Sequence, residues 1–152
     1  MKNKVTISCD SLLEKMNATL KELGLNYSQN RNYVVEVLYS HDEHLSIEEI
    51  TKIVNSTFSC KLSKTTIYSI VNLLVELKII NALSLPNDPS KKTFYELNAA
   101  YHHDHIICTN CHKIVEFYDS SLEGYQEDIA SKKDFLLLSH SLLLFGLCEE
   151  CS

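Results

Sequence analysis

The chain lacks any apolar run approaching the roughly 18 residues that a membrane span needs. It lacks a basic excess as well. Its formal net charge of −6 taken alone argues against a nucleic-acid partner. Internal repeats and low-complexity segments are absent. The start, MKNKVTISCDSLLEKMN, holds two lysines but no apolar stretch of signal-peptide length, so a cytoplasmic protein is expected. Six cysteines in such a chain are not a disulfide framework. What remains is a globular protein of 152 residues, 45% hydrophobic and 22% charged, enough for one medium domain or two small ones.

The charge total hides an asymmetry. Residues 1–98 carry 11 Lys/Arg and 11 Asp/Glu, whereas residues 99–152 carry 3 and 9 and account for the whole −6. A neutral front and an acidic rear fit two domains with different tasks.

Four stretches of the front have helical period. DSLLEKMNATLKELGL puts Leu12, Leu13, Met16, Leu20 and Leu23 on one stripe and stops at Gly24. SQNRNYVVEVLYS follows with Val34, Val35 and Leu38, and Ser28 as N-cap. HLSIEEITKIVNSTF has Ser46 and Glu49 at capping-box spacing and buries Ile47, Ile50, Ile53 and Val54. SKTTIYSIVNLLVELKII starts near Ser63 and buries Ile67, Ile70, Val71, Leu74 and Leu77. The period then changes, and IINALSL and KTFYELN read as strands joined by PNDPSKK, which holds both prolines. Helices followed by a hairpin with a polar tip is the order of a winged helix-turn-helix, in which one helix enters the major groove and the hairpin flanks it.

A second unit begins after about residue 98. HDHIICTN and KIVEFYD read as strands around a Cys-x-x-Cys turn, and SSLEGYQEDIASKKD reads as a helix despite Gly124. FLLLSHSLLLFGLC reads as a strand with an almost wholly buried surface. So much apolar length in a small unit needs cover, and a partner subunit would supply it.

The rear unit also holds the metal-ligating residues. Cys108 and Cys111, then Cys148 and Cys151, form two Cys-x-x-Cys knuckles with 36 residues between them. Two such knuckles can wrap one tetrahedral Zn²⁺ in four thiolates, a closed site that staples the unit's start to its end. CTNCH also matches the c-type haem string, but haem attachment leaves the second knuckle unexplained and normally accompanies export. Cys9 and Cys60 stand alone and are read as packing residues.

In the strand containing HHDH, successive side chains point to opposite faces. His102 and Asp104 therefore face one way, His103 and His105 the other, and one strand can feed two metal sites. Each face must recruit further ligands, for which Glu96, Glu116, Glu123, His140 and His44 are available. Sites of about five nitrogen and carboxylate donors suit Fe²⁺, Mn²⁺, Zn²⁺ or Co²⁺.

These residues carry a resemblance. The segments SQNR, HDEHLSIEEI, SKTTIYSIVNLL, YEL, HHDHIICTNC, KIVEF and SHSLLLFGLCEEC resemble the ferric uptake regulator (Fur) family of bacterial metal-dependent repressors along nearly the full chain. The resemblance implies an α+β protein. A winged helix-turn-helix DNA-binding domain would span 1–98, with a hinge at its end, and a small α/β metal-binding dimerisation domain 99–152. It implies that Cys108, Cys111, Cys148 and Cys151 hold structural zinc. His44, Glu96, His103, His105 and Glu116 would form a regulatory site between the domains. His102, Asp104, Glu123 and His140 would form an additional site. The regulatory ion would be Fe²⁺, Mn²⁺ or Zn²⁺.

The implied function is a metal-responsive repressor, most similar to the iron sensors, that binds palindromic operator DNA as a homodimer when a divalent metal bridges its domains. No membrane and no small-molecule substrate is implied. Candidate DNA contacts are Tyr68, Thr65 and Ser69 on the reading helix, with Lys64, Lys61 and Arg31. Two positions depart from the family pattern: Ser69 stands where arginine is usual, and Asn26 where a lysine often enters the minor groove. The glutamates at 96 and 116 look more like an iron sensor than a peroxide sensor. Zinc and manganese sensors share much of this ligand set. Two other readings are weighed beside it: a metal-binding module with weakened DNA binding, and a zinc hydrolase or deaminase. The deaminase string of His-x-Glu with Pro-Cys-x-x-Cys is absent.

Overall fold

Where the chain leaves its first helix, Gly24 takes φ +77°, a left-handed conformation that suits glycine. That helix, α1 (Cys9–Glu22), starts at Ser8, whose side chain accepts a hydrogen bond from the Ser11 N–H. The computed structural model describes residues 7–86, 88–98 and 102–152. The N-terminal lysines and Asn87 of the hairpin tip lie outside these residues, and the boundary expected after residue 98 adjoins the undescribed 99–101. Among the described residues no helix is long and apolar enough to cross a membrane.

The chain divides into two units, Met1–Ala100 and Tyr101–Ser152. In the first, α1 is followed by α2 (Gln29–Ser40), β1 (Leu45–Ser46), α3 (Ile47–Thr57), α4 (Lys64–Glu76), β2 (Ile80–Ser84) and β3 (Thr93–Leu97). The strands form a sheet in the order β1-β3-β2, all antiparallel neighbours. The two-residue β1 is too short to carry a period and was not expected from the sequence.

Local chemistry fixes the helix starts. Ser46 and Glu49 form the reciprocal capping box of α3: the Ser46 hydroxyl accepts from the Glu49 N–H, and the Glu49 carboxylate accepts from the Ser46 N–H at 2.8 Å. Ser63 caps α4 by accepting from the Thr66 N–H. Ser28 occupies the cap position of α2 without a side-chain bond.

The core of this unit gathers Met16 and Leu20 of α1, Val34, Val35 and Leu38 of α2, Ile50 and Val54 of α3, Ile67, Val71 and Leu74 of α4, and Ile80 and Tyr95 from the sheet. Leu12, Leu13, Ile47, Ile53, Ile70 and Leu77 pack partly buried against it. Each fully buried aliphatic side chain contributes about 1.5–3 kcal/mol. Leu23 departs from the expected stripe: it is the C-cap of α1 and is 56% exposed. The stripe ends one turn earlier because the chain leaves the helical path there.

In the second unit, β4 (Asp104–Cys108) pairs antiparallel with β5 (Ile114–Phe117). The helix α5 (Ser120–Lys132) then leads to β6 (Leu143–Gly146), which pairs parallel with β4. Asp119 caps α5 by accepting from the N–H groups of Ser121 and Leu122, and the helix runs through Gly124. The apolar run 135–148 differs from expectation. Only Leu143–Gly146 is strand, and Phe135, Leu136 and Leu138 are 74%, 84% and 87% exposed. The expectation placed the cover in a partner subunit, and within the unit α5 has no fully buried residue.

Candidate metal centres and reading face

The four cysteines converge at one end of the second sheet. Cys108 ends β4, and the following turn closes through the His112 N–H on the Cys108 carbonyl at 3.0 Å, with His112 at φ +62°. A matching turn sets the Cys151 N–H on the Cys148 carbonyl at 2.9 Å. The parallel pairing of β4 with β6 and a bond from Thr109 N–H to the Gly146 carbonyl, 2.8 Å, bring the two turns together. All four sulfurs lie within 4.8 Å of one another, and Cys111 Sγ stands 3.7 Å from Cys148 Sγ. A tetrahedron with Zn–S bonds near 2.3 Å has edges of about 3.8 Å, so the donor set fits zinc.

Electrostatics favour the same ion. Backbone N–H groups, first from Cys111 and then from Cys148, hold the Cys108 thiol down to about 6. At Cys151 the Asn110 side chain pulls downward, but the neighbouring Cys148 thiol, burial and the other sulfurs outweigh it and push it up to about 11. One thiolate forms readily, and further negative charge among crowded sulfurs requires a cation.

The second cluster lies entirely in the same unit. His102 Nε2 is 3.3 Å from Asp104 Oδ1 and 3.5 Å from Glu123 Oε1, and His140 Nε2 is 3.3 Å from Glu123 Oε2. The two imidazoles meet edge to face with centroids 4.0 Å apart. Asp104 is 1% exposed, yet neither carboxylate oxygen has a hydrogen-bond partner among the described residues. Glu123 Oε1 and His140 Nε2 are likewise buried without one. Buried polar atoms left in this state are costly unless something else satisfies them. Two imidazole nitrogens and two carboxylates suit a divalent cation and balance its charge.

The remaining expected ligands fall in two groups, each within its own unit. In the first, His44 precedes β1 and, by the Leu45–Tyr95 register, comes opposite Glu96 of β3. His44 Nε2 lies 2.9 Å from Glu96 Oε2, with side chains only 7% and 12% exposed. Asn81 Nδ2 donates to the other Glu96 oxygen at 3.3 Å. In the second, the rings of His103 and His105 lie 4.8 Å apart, and His105 is the register partner of Glu116.

On the first unit, a groove of about 750 Å³ runs between the start of α3, the start of α4 and the β2–β3 hairpin. Lys64, Thr65 and Tyr68 of α4 line it together with Lys91 and Lys92 of the hairpin. Tyr68 is 51% exposed. The Ser69 hydroxyl donates to the Thr65 carbonyl at 3.0 Å on the exposed side of the helix, and Lys61 is exposed. Lys91 and Lys92 were missed in the sequence, although their adjacency in a polar hairpin tip was a usable signal. Arg31 departs from expectation. It is 7% exposed and its guanidinium donates to the Asn26 carbonyl, so it ties down the loop before α2 and offers no surface to a phosphate.

Four helices with a three-stranded antiparallel sheet, followed by a small α/β unit crowded with metal-ligating side chains, define an α+β protein of the winged helix-turn-helix class. The model of the ferric uptake regulator family matches residues 22–145. The chain belongs to that family. It is 37% identical over 142 residues to the ferric uptake regulation protein of Helicobacter pylori, covering 93% of this chain and 92% of that protein. The Campylobacter upsaliensis protein of the same name is 36% identical over 144 residues, covering 94% and 90%. Among solved structures, the Helicobacter pylori regulator, described as revealing three functional metal binding sites, superposes with a TM-score of 0.86 at 36% identity, covering 99% of this chain and 97% of that one. The Vibrio cholerae ferric uptake regulator gives 0.73 at 31% identity, covering 88% and 99%.

Proposed function

We propose that this chain is a metal-responsive transcriptional repressor of the iron-sensing type, acting in the cytoplasm as a homodimer on palindromic operator DNA, and not an enzyme. The observation that carries the reading is the pair of half-sites. His44 and Glu96 stand ready in the first unit, and His103, His105 and Glu116 in the second. A divalent cation held by all five ties the units together and neutralises the two carboxylates near DNA. Within the first unit the His44–Glu96 contact holds a nitrogen and an oxygen together, and within the second strand pairing sets His105 beside Glu116. The equilibrium between open and DNA-competent arrangements shifts only by the difference in affinity of the two arrangements for the ion.

Cys108, Cys111, Cys148 and Cys151 hold structural zinc in this reading. His102, Asp104, Glu123 and His140 hold an additional divalent ion. Iron is favoured as effector by relatives named ferric uptake regulation proteins and by Glu96 and Glu116, with Mn²⁺ or Zn²⁺ able to use the same donors. Tyr68, Thr65, Ser69, Lys64 and Lys61 supply the face that meets DNA.

The test is an electrophoretic shift with the chain's own upstream DNA, with Mn²⁺ or anaerobic Fe²⁺, and with a chelator. Binding that requires metal, and that His103→Ala abolishes while the protein stays dimeric, is expected. Metal-independent binding, or none at low salt with any metal, overturns the reading.

A further inference from the structure

Lys64 is an awkward residue for its place. It is the first residue of α4, directly after the Ser63 cap, and the first turn of that helix has no acidic side chain. A cation there sits at the positive end of the helix dipole, which disfavours it. The charge is met from a different helix. Glu48, in the first turn of α3, accepts from Lys64 Nζ at 2.9 Å. That bond, above all other influences, holds the Glu48 carboxyl below its ordinary range. Both side chains stay in water, at 62% and 60% exposure, and both line the groove shared with Thr65, Tyr68, Lys91 and Lys92. The neighbouring acid does not compete for the lysine, because Glu49 is engaged by Ser46 in the capping box. Lys92 lies over the Phe94 ring at 5.0 Å and acts on Glu48 more weakly, through space and without a hydrogen bond.

We propose that Glu48 is a charge brake on the reading face: it occupies Lys64 in the free protein, so a backbone phosphate gains that lysine only by exchange. The inference rests on the DNA-binding reading above. Its signature is electrostatic. A lysine that neutralises a phosphate releases a counterion from the duplex, and each such contact adds about 0.9 to the salt slope. While the lysine stays paired with Glu48, the phosphate it would meet keeps its counterion, and that release is lost. Glu48 therefore weakens binding to any duplex and flattens its salt dependence. Because phosphate contacts carry no sequence information, it does so equally for operator and random DNA.

The experiment measures affinity from low to moderate salt, with Mn²⁺, for the chain's upstream duplex and for a random duplex of equal length. Glu48→Gln is compared with wild type, with Lys64→Gln, with the double variant, and with Glu14→Gln, which removes the same charge from the exposed side of α1. Exposed pairs are weak, and the first turn of α3 keeps Glu49, so Glu48→Gln is expected to stay folded and to melt only slightly below wild type. It should bind both duplexes roughly two- to fivefold tighter at low salt, with a slope steeper by up to about 0.9. Glu14→Gln should leave the slope unchanged, and in the Lys64→Gln background the Glu48 substitution should lose most of its effect. An unchanged slope in Glu48→Gln overturns the proposal. So does an equal gain with and without Lys64, which would mean plain repulsion. If the metal-loaded wild type binds neither duplex at low salt, the DNA-binding reading itself fails and the brake falls with it.

Discussion

Asp104 concentrates the argument at the scale of the residue. A carboxylate at 1% exposure that makes no hydrogen bond, with only the His102 imidazole near it at 3.3 Å, is costly to bury unless a cation takes it. Its neighbours are Glu123, a second carboxylate, and two histidines, so the cluster is poised for a divalent ion. Replacing Asp104 with Asn should raise the stability of the zinc-loaded protein by about 1–3 kcal/mol in the absence of other metal. Added Mn²⁺ should then stabilise the wild type by more than the variant, since binding to the native state adds stability by mass action. Urea denaturation with and without Mn²⁺ measures both, and equal gains for the two proteins would remove Asp104 from the site. At the sulfur cluster the outcome is harsher. Cys108→Ser removes the sulfur that ionises most readily, and structural zinc supplies folding free energy directly. Loss of bound zinc and of the cooperative melt is expected by metal analysis and circular dichroism. A zinc-free variant that still melts cooperatively contradicts the stapling role. Strand parity alone sorted His102 with Asp104 and His103 with His105, because alternation is a property of the backbone. The burial of Arg31 was not legible, because nothing local says that a guanidinium will turn inward to a carbonyl five residues back.

At the scale of the element, the helices of the first unit were open to reading because their cues are local. The Ser46–Glu49 box starts α3, Ser63 starts α4, and both carry apolar residues at helical spacing. The strand β1 was not, since two residues have no period and their pairing with β3 depends on a segment about fifty positions away. The capping box also makes a pH-dependent prediction. Burial works to raise the Glu49 carboxyl, but its bonds to the Ser46 side chain and N–H outweigh that and leave it lowered. A carboxylate lowered on folding stabilises the native state above its unfolded pKa, and that contribution is lost as pH falls through the lower, folded value. Ser46→Ala should therefore cost about 1 kcal/mol near neutrality. The gap to wild type should narrow in acid, below the ordinary glutamate range. Denaturation midpoints across that range measure it, and a gap that widens as pH falls would exclude this coupling.

At the scale of the molecule, the second unit poses a problem its own chain does not solve. Ile129 is 61% exposed, Tyr125 67%, Phe135 74%, Leu136 84% and Leu138 87%. Apolar character in the sequence announced a need for cover but not how much of the run is strand, and only Leu143–Gly146 forms one. Single exposed leucines are ordinary, whereas this many large apolar side chains left open in one small unit suit an interface. In the homodimer proposed above, a second copy of the same chain would be the economical cover, since a twofold interface applies one patch to both partners. Leu136→Asp combined with Leu138→Asp places two charges in that patch on each subunit, four across the twofold. The variant should elute as a monomer near 17.4 kDa by light scattering, while wild type runs at about twice that mass. The four-cysteine cluster lies outside the altered segment, so zinc content should stay equal and unfolding be excluded as the cause. DNA affinity should drop steeply, because a dimer engages two half-sites of a palindrome through one binding event and a monomer only one. A monomer that retains wild-type affinity for the palindrome would show that the reading face works alone, and the apolar surface would then have to be explained by a different partner.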